Sequence, residues 1–259
     1  MRTPPVLILT RVRDEAGPWA DALAAAGIGV DLLPLIEIVP VPDAAPLEHA
    51  RQAALQCDAL MFVSASAARH FFAGQEALSQ RLTARLWATG PGTRRALIQC
   101  GCHPDHIDAP ADDAAQFDSE ALWETVALQA RPGARVLIVR GADASGQVAG
   151  RDWLARQLEA AGAQVDEVAT YLRRAPAFDA ATRARMQAAA GDGSVWWFSS
   201  SEAVLHLQHA LPAQDWSAAR AVATHPRIAH AARQAGFGRV VEARAQVEDI
   251  IASIKSSHE

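Results

Sequence analysis

Small polar residues occur at four places where a predicted strand gives way to a predicted helix: Ser64 and Ser66, Thr89 and Thr93, residues 199–201, and Thr224. In a parallel sheet, such turns lie at the carboxyl ends of the strands, where ligands bind. Helix N-termini there present free N–H groups and a partial positive charge. The pattern therefore predicts an anion-binding surface. The alternative is simple helix capping, which these residue types perform in many proteins.

Three arginines could hold a carboxylate. Arg11 and Arg140 follow apolar strands, and Arg151 stands where a helix is predicted to begin. The planar guanidinium fork matches the two oxygens of a carboxylate. The alternative for each arginine is a solvated charge that contributes little.

Tyr171 is the single tyrosine of the sequence and lies near the end of the predicted strand 165–172. A phenol can donate a proton or a hydrogen bond, so Tyr171 is a candidate acid. The alternative is a half-buried strand residue with no chemical role.

Other kinds of site find less support. Cys100, Cys102, His103 and His106 are close in sequence, but their spacing is not that of a standard zinc site, so we expect no metal. The chain also has no G-x-G-x-x-G fingerprint, no P-loop and no G-x-S-x-G elbow. Dinucleotide binding, nucleoside triphosphate binding and serine hydrolysis therefore lose their main support.

The elements that position these residues are repeated. Residues 23–31 match residues 158–166 at six of nine positions, an offset of 135. The same offset places Ser64 on Ser199 and Thr89 on Thr224. Three matches in one register indicate two copies of one unit. Because loops and helix starts are the parts that match, we expect the working surface to be a cleft between the copies.

Short apolar runs alternate with helical patterns, as at residues 6–9, 59–63 and 135–140. This alternation predicts an α/β fold in which helices cover both faces of parallel sheets. The length of 259 residues fits two domains.

Composition indicates which partners and which cellular compartment to expect. The net charge of −5 argues against a nucleic-acid partner. No apolar run is long enough to span a membrane, and three cysteines suggest a reducing compartment. We expect a cytoplasmic protein with neither a nucleic-acid nor a membrane partner.

Several segments, in this order and spacing, resemble the uroporphyrinogen-III synthase family of tetrapyrrole biosynthesis. They are residues 9–11, 62–67, 88–93, 117–122, 136–141, 150–154, 165–171, 197–201 and 224–226. Each motif is weak alone, but together they cover nearly the whole chain.

The resemblance implies two similar three-layer parallel-sheet domains of flavodoxin-like topology, joined by a two-stranded connection. Domain 1 would contain residues 1–37 and 173–259, and domain 2 residues 38–172. The two repeat copies would then interleave instead of lying end to end.

The implied reaction is cyclisation of the linear tetrapyrrole hydroxymethylbilane to uroporphyrinogen III, with loss of water and inversion of ring D. It implies no cofactor. We also expect a monomer and a hand-over of substrate from the upstream bilane-forming enzyme. Such catalysis acts mainly by positioning the substrate.

By motif, Tyr171 is expected to assist departure of the substrate hydroxyl. The expected substrate-binding residues are Thr10, Arg11, Ser64, Ala65, Ser66, Gly90, Thr93, Arg140, Gly141, Arg151, Ser199, Ser200, Ser201, Thr224 and His225. The second copy departs from the first, because His225 replaces Gly90 and Ile228 replaces Thr93. Whether His225 supplies the missing polar contact stays open.

A second hypothesis is a non-catalytic, two-lobed binding protein for a polyanionic small molecule. The same turns and arginines would serve it. Turnover distinguishes the two, since a binder would hold the bilane without changing which isomer forms.

Overall fold

The computed structural model describes residues 6–111, 114, 117–148, 153–244 and 246–256. The predicted binding residue Arg151 lies outside these residues. The regular elements are, in chain order, β1 (Leu7–Leu9), α1 (Arg13–Ala25), β2 (Val30–Leu32), β3 (Glu37–Pro40), α2 (Ala45–Ala54), β4 (Ala59–Phe62), α3 (Ala65–Phe72), α4 (Glu76–Arg81), β5 (Arg85–Ala88), α5 (Pro91–Gln99), β6 (Ile107–Asp108), α6 (Ser119–Val126), β7 (Arg135–Ala142), α7 (Trp153–Ala160), β8 (Gln164–Arg174), α8 (Ala180–Ala189), β9 (Val195–Phe198), α9 (Ser201–Ala210), β10 (Arg220–Ala223), α10 (Pro226–Gln234), β11 (Arg239–Glu242) and α11 (Val247–Ser256). Short 3-10 turns occupy Pro104–His106 and Ala127–Gln129.

The chain divides into two compact units. Unit 1 contains Met1–Glu37 and Arg174–Glu259, and unit 2 contains Ile38–Arg173. Both boundaries fall inside strands, β3 and β8, which are neighbours in one sheet. The division differs from the expected domains at one position: Arg173 lies in unit 2 and not in the first domain.

Unit 1 is built on a five-stranded sheet with the order β2-β1-β9-β10-β11, and each neighbouring pair is parallel. One face packs Leu7, Leu9 and Trp197 against apolar residues of α1 and α11. Trp196 and Phe198 point to the opposite face, where they contact the Phe237 ring. Burying both faces is what the continuous apolar strands require.

Unit 2 is built on a six-stranded sheet with the order β3-β8-β7-β4-β5-β6, parallel from β8 to β6. Leu60 and Phe62 of β4 belong to one apolar core, while Ala59 and Met61 belong to another. Successive side chains of a strand point to opposite faces, so the two cores lie on either side of the sheet.

The two sheets have the same strand order once the repeat is taken into account. The offset of 135 residues places β5 on β10 and α2 on α8, end to end. With β7 taken as the first strand of unit 2, its parallel strands follow the order 2-1-3-4-5, as those of unit 1 do. This is the flavodoxin-like order.

The repeat copies exchange their opening segments. β1, α1 and β2 from the first half of the chain belong to unit 1, with strands of the second half. β7, α7 and β8 from the second half belong to unit 2, with strands of the first half. The predicted α/β class with parallel sheets is confirmed. Among the helices that the structure describes, none is long and apolar enough to cross a membrane.

Candidate functional site

In unit 2, Tyr171 and Ser64 are brought together across 107 residues of sequence. The phenol oxygen of Tyr171 lies 3.0 Å from Oγ of Ser64, at hydrogen-bond distance. Tyr171 is 3% exposed and its ring belongs to the core that also contains Phe62. The candidate acid thus contacts the turn that follows β4.

A β-bulge turns Tyr171 toward this contact. Arg140 pairs with Ala169 and Gly141 pairs with Tyr171, so that Thr170 is an extra residue in β8. The Thr170 hydroxyl donates to the Arg140 carbonyl at 3.3 Å. An extra residue reverses the alternation of a strand, which explains why Val168 and Tyr171 enter the same core.

Ser64, Ala65 and Ser66 form the start of α3. Ser64 is the N-cap, and its Oγ accepts the N–H of Ala67 at 3.0 Å. Ala65 is the first helical residue. Ser66 is 5% exposed, and its Oγ accepts a hydrogen bond from Arg69 at 3.3 Å. The side chains of Ser64 and Ser66 therefore have partners within the protein.

Arg140 is already paired with a carboxylate. It is 4% exposed, and its Nη1 donates to the two carboxylate oxygens of Glu167 at 3.2 and 3.1 Å. Sequence reasoning missed Glu167, because the pairing depends on the register of β7 against β8. A substrate carboxylate at Arg140 would share the guanidinium with Glu167.

In unit 2, the turn before α5 provides, among the described residues, no side-chain cap for the start of that helix. Gly90 is the N-cap residue. A Cβ atom on Gly90 would stand 3.0 Å from Cβ of Phe117, so glycine permits this close approach. Thr93, one turn into the helix, is 5% exposed. Backbone N–H groups at a helix start of this kind can bind an anion.

In unit 1, the matching turn has a side-chain cap, which is supplied by His225. Nδ1 of His225 accepts the N–H of Arg227 at 3.1 Å and so caps α10. Ile228 is 4% exposed, about as buried as Thr93 in the matching position. A buried position accepts an aliphatic side chain, which explains the departure from threonine. His225 thus acts as the helix cap of α10.

Thr10 and Arg11 follow β1 in unit 1. The Thr10 hydroxyl donates to the Trp197 carbonyl at 2.6 Å, and Thr10 is 1% exposed, so it joins β1 to β9. The Arg11 guanidinium donates to Glu15 at 3.1 Å and lies over the rings of Trp19 and Trp197, at 5.5 and 5.9 Å. Sequence reasoning missed Glu15, although its i,i+4 spacing from Arg11 was a usable signal.

The serine cluster of unit 1 begins α9. Ser200 is the N-cap, and its Oγ accepts the N–H of Glu202 at 3.2 Å. Ser199 precedes it and Ser201 is the first helical residue. Thr224 follows β10, and its backbone N–H donates to the Phe198 carbonyl at 3.1 Å. Ser64, Ser200 and His225 thus all act as helix caps in the structure.

A cavity of about 550 Å³ in unit 2 is lined by residues outside the predicted site. Pro46 and His49 of α2 line one part, and Leu137, Asp166 and Leu172 line another. None of the predicted site residues that the structure describes lines it.

The cysteine–histidine cluster forms no metal site in the described residues, where no group of three or more metal-binding side chains occurs. Burial raises the pKa of the Cys102 thiol to about 12 and also raises the pKa of Cys100.

Known proteins with a similar sequence and a similar fold indicate the family of this chain. The family described as uroporphyrinogen-III synthase HemD matches residues 17–252, nearly the whole chain. The chain belongs to the uroporphyrinogen-III synthase family.

One curated relative is the uroporphyrinogen-III synthase of Synechococcus elongatus. It is 31% identical over 180 residues, which are 66% of this chain and 61% of the relative. The matched part thus spans less than two thirds of that relative.

Two solved structures have the same fold. A mutant uroporphyrinogen III synthase from the extremely thermophilic bacterium Thermus thermophilus matches with a TM-score of 0.57 and 18% identity, over 98% of each chain. Uroporphyrinogen-III synthetase from Helicobacter pylori matches with a TM-score of 0.60 and 12% identity, over 98% of this chain and all of the other. Both are similar to this chain in fold.

Proposed function

We propose that this chain is a uroporphyrinogen-III synthase, which cyclises hydroxymethylbilane with loss of water and inversion of ring D. The observation that carries the proposal is the family match over residues 17–252. The linear tetrapyrrole is then the substrate, and the enzyme is a cyclising lyase of heme biosynthesis.

Tyr171 is the proposed acid. Its phenol contacts the turn after β4, at the carboxyl end of the unit 2 sheet, where ligands of such sheets bind. A phenol that donates its proton to the leaving hydroxyl allows the C–O bond to break with release of water. This geometry supports Tyr171, together with its position in the family motif.

Carboxylate binding is proposed for residues in both units. In unit 2, the start of α5 at Gly90 and Thr93 offers backbone N–H groups. The α3 turn follows β4, and Arg140 and Gly141 lie near the end of β7. Because β4 pairs with both β5 and β7, all three places are at neighbouring strand ends. In unit 1, Arg11 is the best-supported residue, because its guanidinium is held near the end of β1 by two indole rings. The remaining unit 1 positions are Thr10, Ser199, Ser200, Ser201, Thr224 and His225, and Arg151 completes the set.

The decisive experiment is incubation with hydroxymethylbilane, followed by oxidation and separation of the porphyrin isomers. We expect isomer III well above the enzyme-free blank, because the bilane closes to isomer I unaided. Isomer I alone, with bilane bound, would instead indicate the non-catalytic polyanion binder. Nothing in the fold or the family favours that alternative.

The cellular compartment, the oligomeric state and the source of the substrate are proposed from the sequence. We propose that the protein works in the cytoplasm, supported by three cysteines that all carry free thiols. We further propose a monomer that receives its substrate from the bilane-forming enzyme.

A further inference from the structure

The Ser64 hydroxyl takes part in two contacts at once. Its Oγ accepts the N–H of Ala67 at the start of α3, and it lies 3.0 Å from the phenol oxygen of Tyr171. A hydroxyl has one proton and two lone pairs. Because Ala67 already occupies a lone pair, the Ser64 proton can be donated to Tyr171.

We propose that Ser64 is a positioning residue for Tyr171. Ser64 donates its hydroxyl proton to the phenol oxygen of Tyr171 and so directs the phenol proton toward the substrate. This inference rests on the proposed synthase function. In the opposite arrangement, Tyr171 would donate to Ser64 and its proton would stay inside the protein. The Ala67 N–H, at a helix N-terminus, polarises Ser64 and strengthens it as a donor.

The surroundings hold the phenol in one orientation. Tyr171 is 3% exposed, and its ring lies close over Gly141, where a Cβ atom would be 2.5 Å from Cζ. The His70 ring lies on the same tyrosine, with 5.6 Å between ring centroids. With the ring fixed, the direction of the phenol proton depends on what the oxygen accepts, and Ser64 is the donor placed to decide it.

The proton balance of the step is complete. Tyr171 gives its proton to the hydroxyl of the bilane hydroxymethyl group, and the C–O bond breaks with both electrons on the departing water. The Ser64 hydroxyl then donates to the phenolate, a hydrogen bond that is stronger to the charged form. The first new bond forms at the substituted carbon of ring D, which carries no proton, and gives a spiro intermediate. After this intermediate fragments, the unsubstituted carbon of ring D forms the final bond and loses its proton, which returns to Tyr171.

The first test does not depend on enzymatic activity. Because the sequence has one tyrosine, protein labelled with ¹³C at tyrosine Cζ gives a single NMR signal, that of Tyr171. We expect Ser64→Gly to move this signal and Ser64→Thr to keep it near the wild-type position. Glycine is an accepted N-cap, so this variant removes the hydroxyl but keeps the helix start.

The matched control is Asp179→Ala, which removes the N-cap of α8 in unit 1 and should leave the signal unmoved. An unmoved signal in Ser64→Gly would overturn the proposal, since it would mean that Ser64 does not donate to the phenol.

The second test is a double-variant cycle with the bilane. We expect Ser64→Gly to lower kcat for isomer III about 10-fold to 100-fold, as for the loss of a hydrogen bond to a charged group, and to leave KM nearly unchanged. Ser64→Thr should restore most of kcat. In the Tyr171→Phe background, Ser64→Gly should cause no further loss.

Losses that multiply in the double variant would show that Ser64 acts on the substrate itself, and would contradict the positioning role. If wild-type protein forms no isomer III, the proposed function fails. The NMR signal would still decide whether Ser64 orients the phenol.

Discussion

Gly141 and Tyr171 approach so closely that a Cβ atom on Gly141 would stand 2.5 Å from Cζ of Tyr171 and 2.9 Å from its phenol oxygen. No real Cβ atom tolerates such contacts, so any other residue at position 141 must displace the ring. This ring carries the phenol of the proposed acid. The position of the phenol in β8 therefore depends on having glycine at position 141 in β7.

The first prediction concerns Gly141→Ala. We expect the variant to lose about 1–3 kcal/mol of unfolding free energy through overpacking. Because it also misplaces the phenol, we expect the rate of isomer III formation to fall by about 100-fold. Urea denaturation and initial rates measure the two effects.

The matched control for this variant is Gly191→Ala, where a Cβ atom meets nothing within 4 Å. It should change neither quantity appreciably. Wild-type stability in Gly141→Ala would show that the ring can move at little cost and that the close approach has no role.

The second prediction concerns Thr10→Val, a change that keeps the shape of the side chain. It removes the 2.6 Å hydrogen bond from the Thr10 hydroxyl to the Trp197 carbonyl. We expect unfolding free energy to fall by about 1–3 kcal/mol, because the buried carbonyl loses its partner. Thermal or urea denaturation checks this, with the exposed Thr83→Val as control. If Thr10→Val instead keeps its stability and raises KM, the hydroxyl binds substrate.

The third prediction separates the two roles of Arg11. If its guanidinium binds a substrate carboxylate, Arg11→Ala should raise KM about 10-fold and affect kcat less. Glu15→Gln should lower KM, because the carboxylate that now occupies Arg11 is removed.

Steady-state kinetics with the bilane measure both variants of this pair. Arg233→Ala is the charge-matched control, since it removes an exposed ion pair with Glu242 elsewhere in unit 1. A KM unchanged by both Arg11→Ala and Glu15→Gln would assign the arginine to packing against the indole rings.

The fourth prediction concerns stability at alkaline pH. Burial raises the pKa of the Cys102 thiol from 9.0 to about 12 in the folded protein. Above pH 9 the unfolded chain therefore loses a proton that the folded chain retains, and unfolding free energy falls as the pH rises toward 12. The contribution is at most about 1.4 kcal/mol per pH unit.

Denaturation at several pH values between 8 and 11 tests this slope. Cys102→Ala should show a shallower decline than the wild-type protein, whatever its stability at pH 8. Equal slopes would mean that the Cys102 thiol titrates alike in the folded and unfolded chains.

Much of the fold follows from local pattern. The repeat of 135 residues, the apolar runs and the turn residues after them predict two α/β units with Ser64, Thr89, Ser199 and Thr224 after strands. These features depend on a few neighbouring residues and on steric rules that hold everywhere, so they are visible in one sequence. The exchange of β1–α1–β2 with β7–α7–β8 is visible only through the family resemblance, because either assignment buries the same apolar strands.

The partners of Arg140 and the capping role of His225 were not visible in the sequence. Arg140 was expected near a carboxylate, but its pairing with Glu167 depends on how β7 lies against β8. Whether His225 would replace a threonine contact was open, and its backbone conformation makes it a helix cap.

By itself, the sequence determined which residue types stand at the ends of the strands and that Tyr171 is the one phenol available. Only the tertiary structure decided that Tyr171 meets Ser64, 107 residues away. The reason is the single extra residue at Thr170, which reverses the alternation of β8 and sends the phenol to the Ser64 side of the sheet. Strand register is set by packing between distant segments, which no local pattern of residues contains.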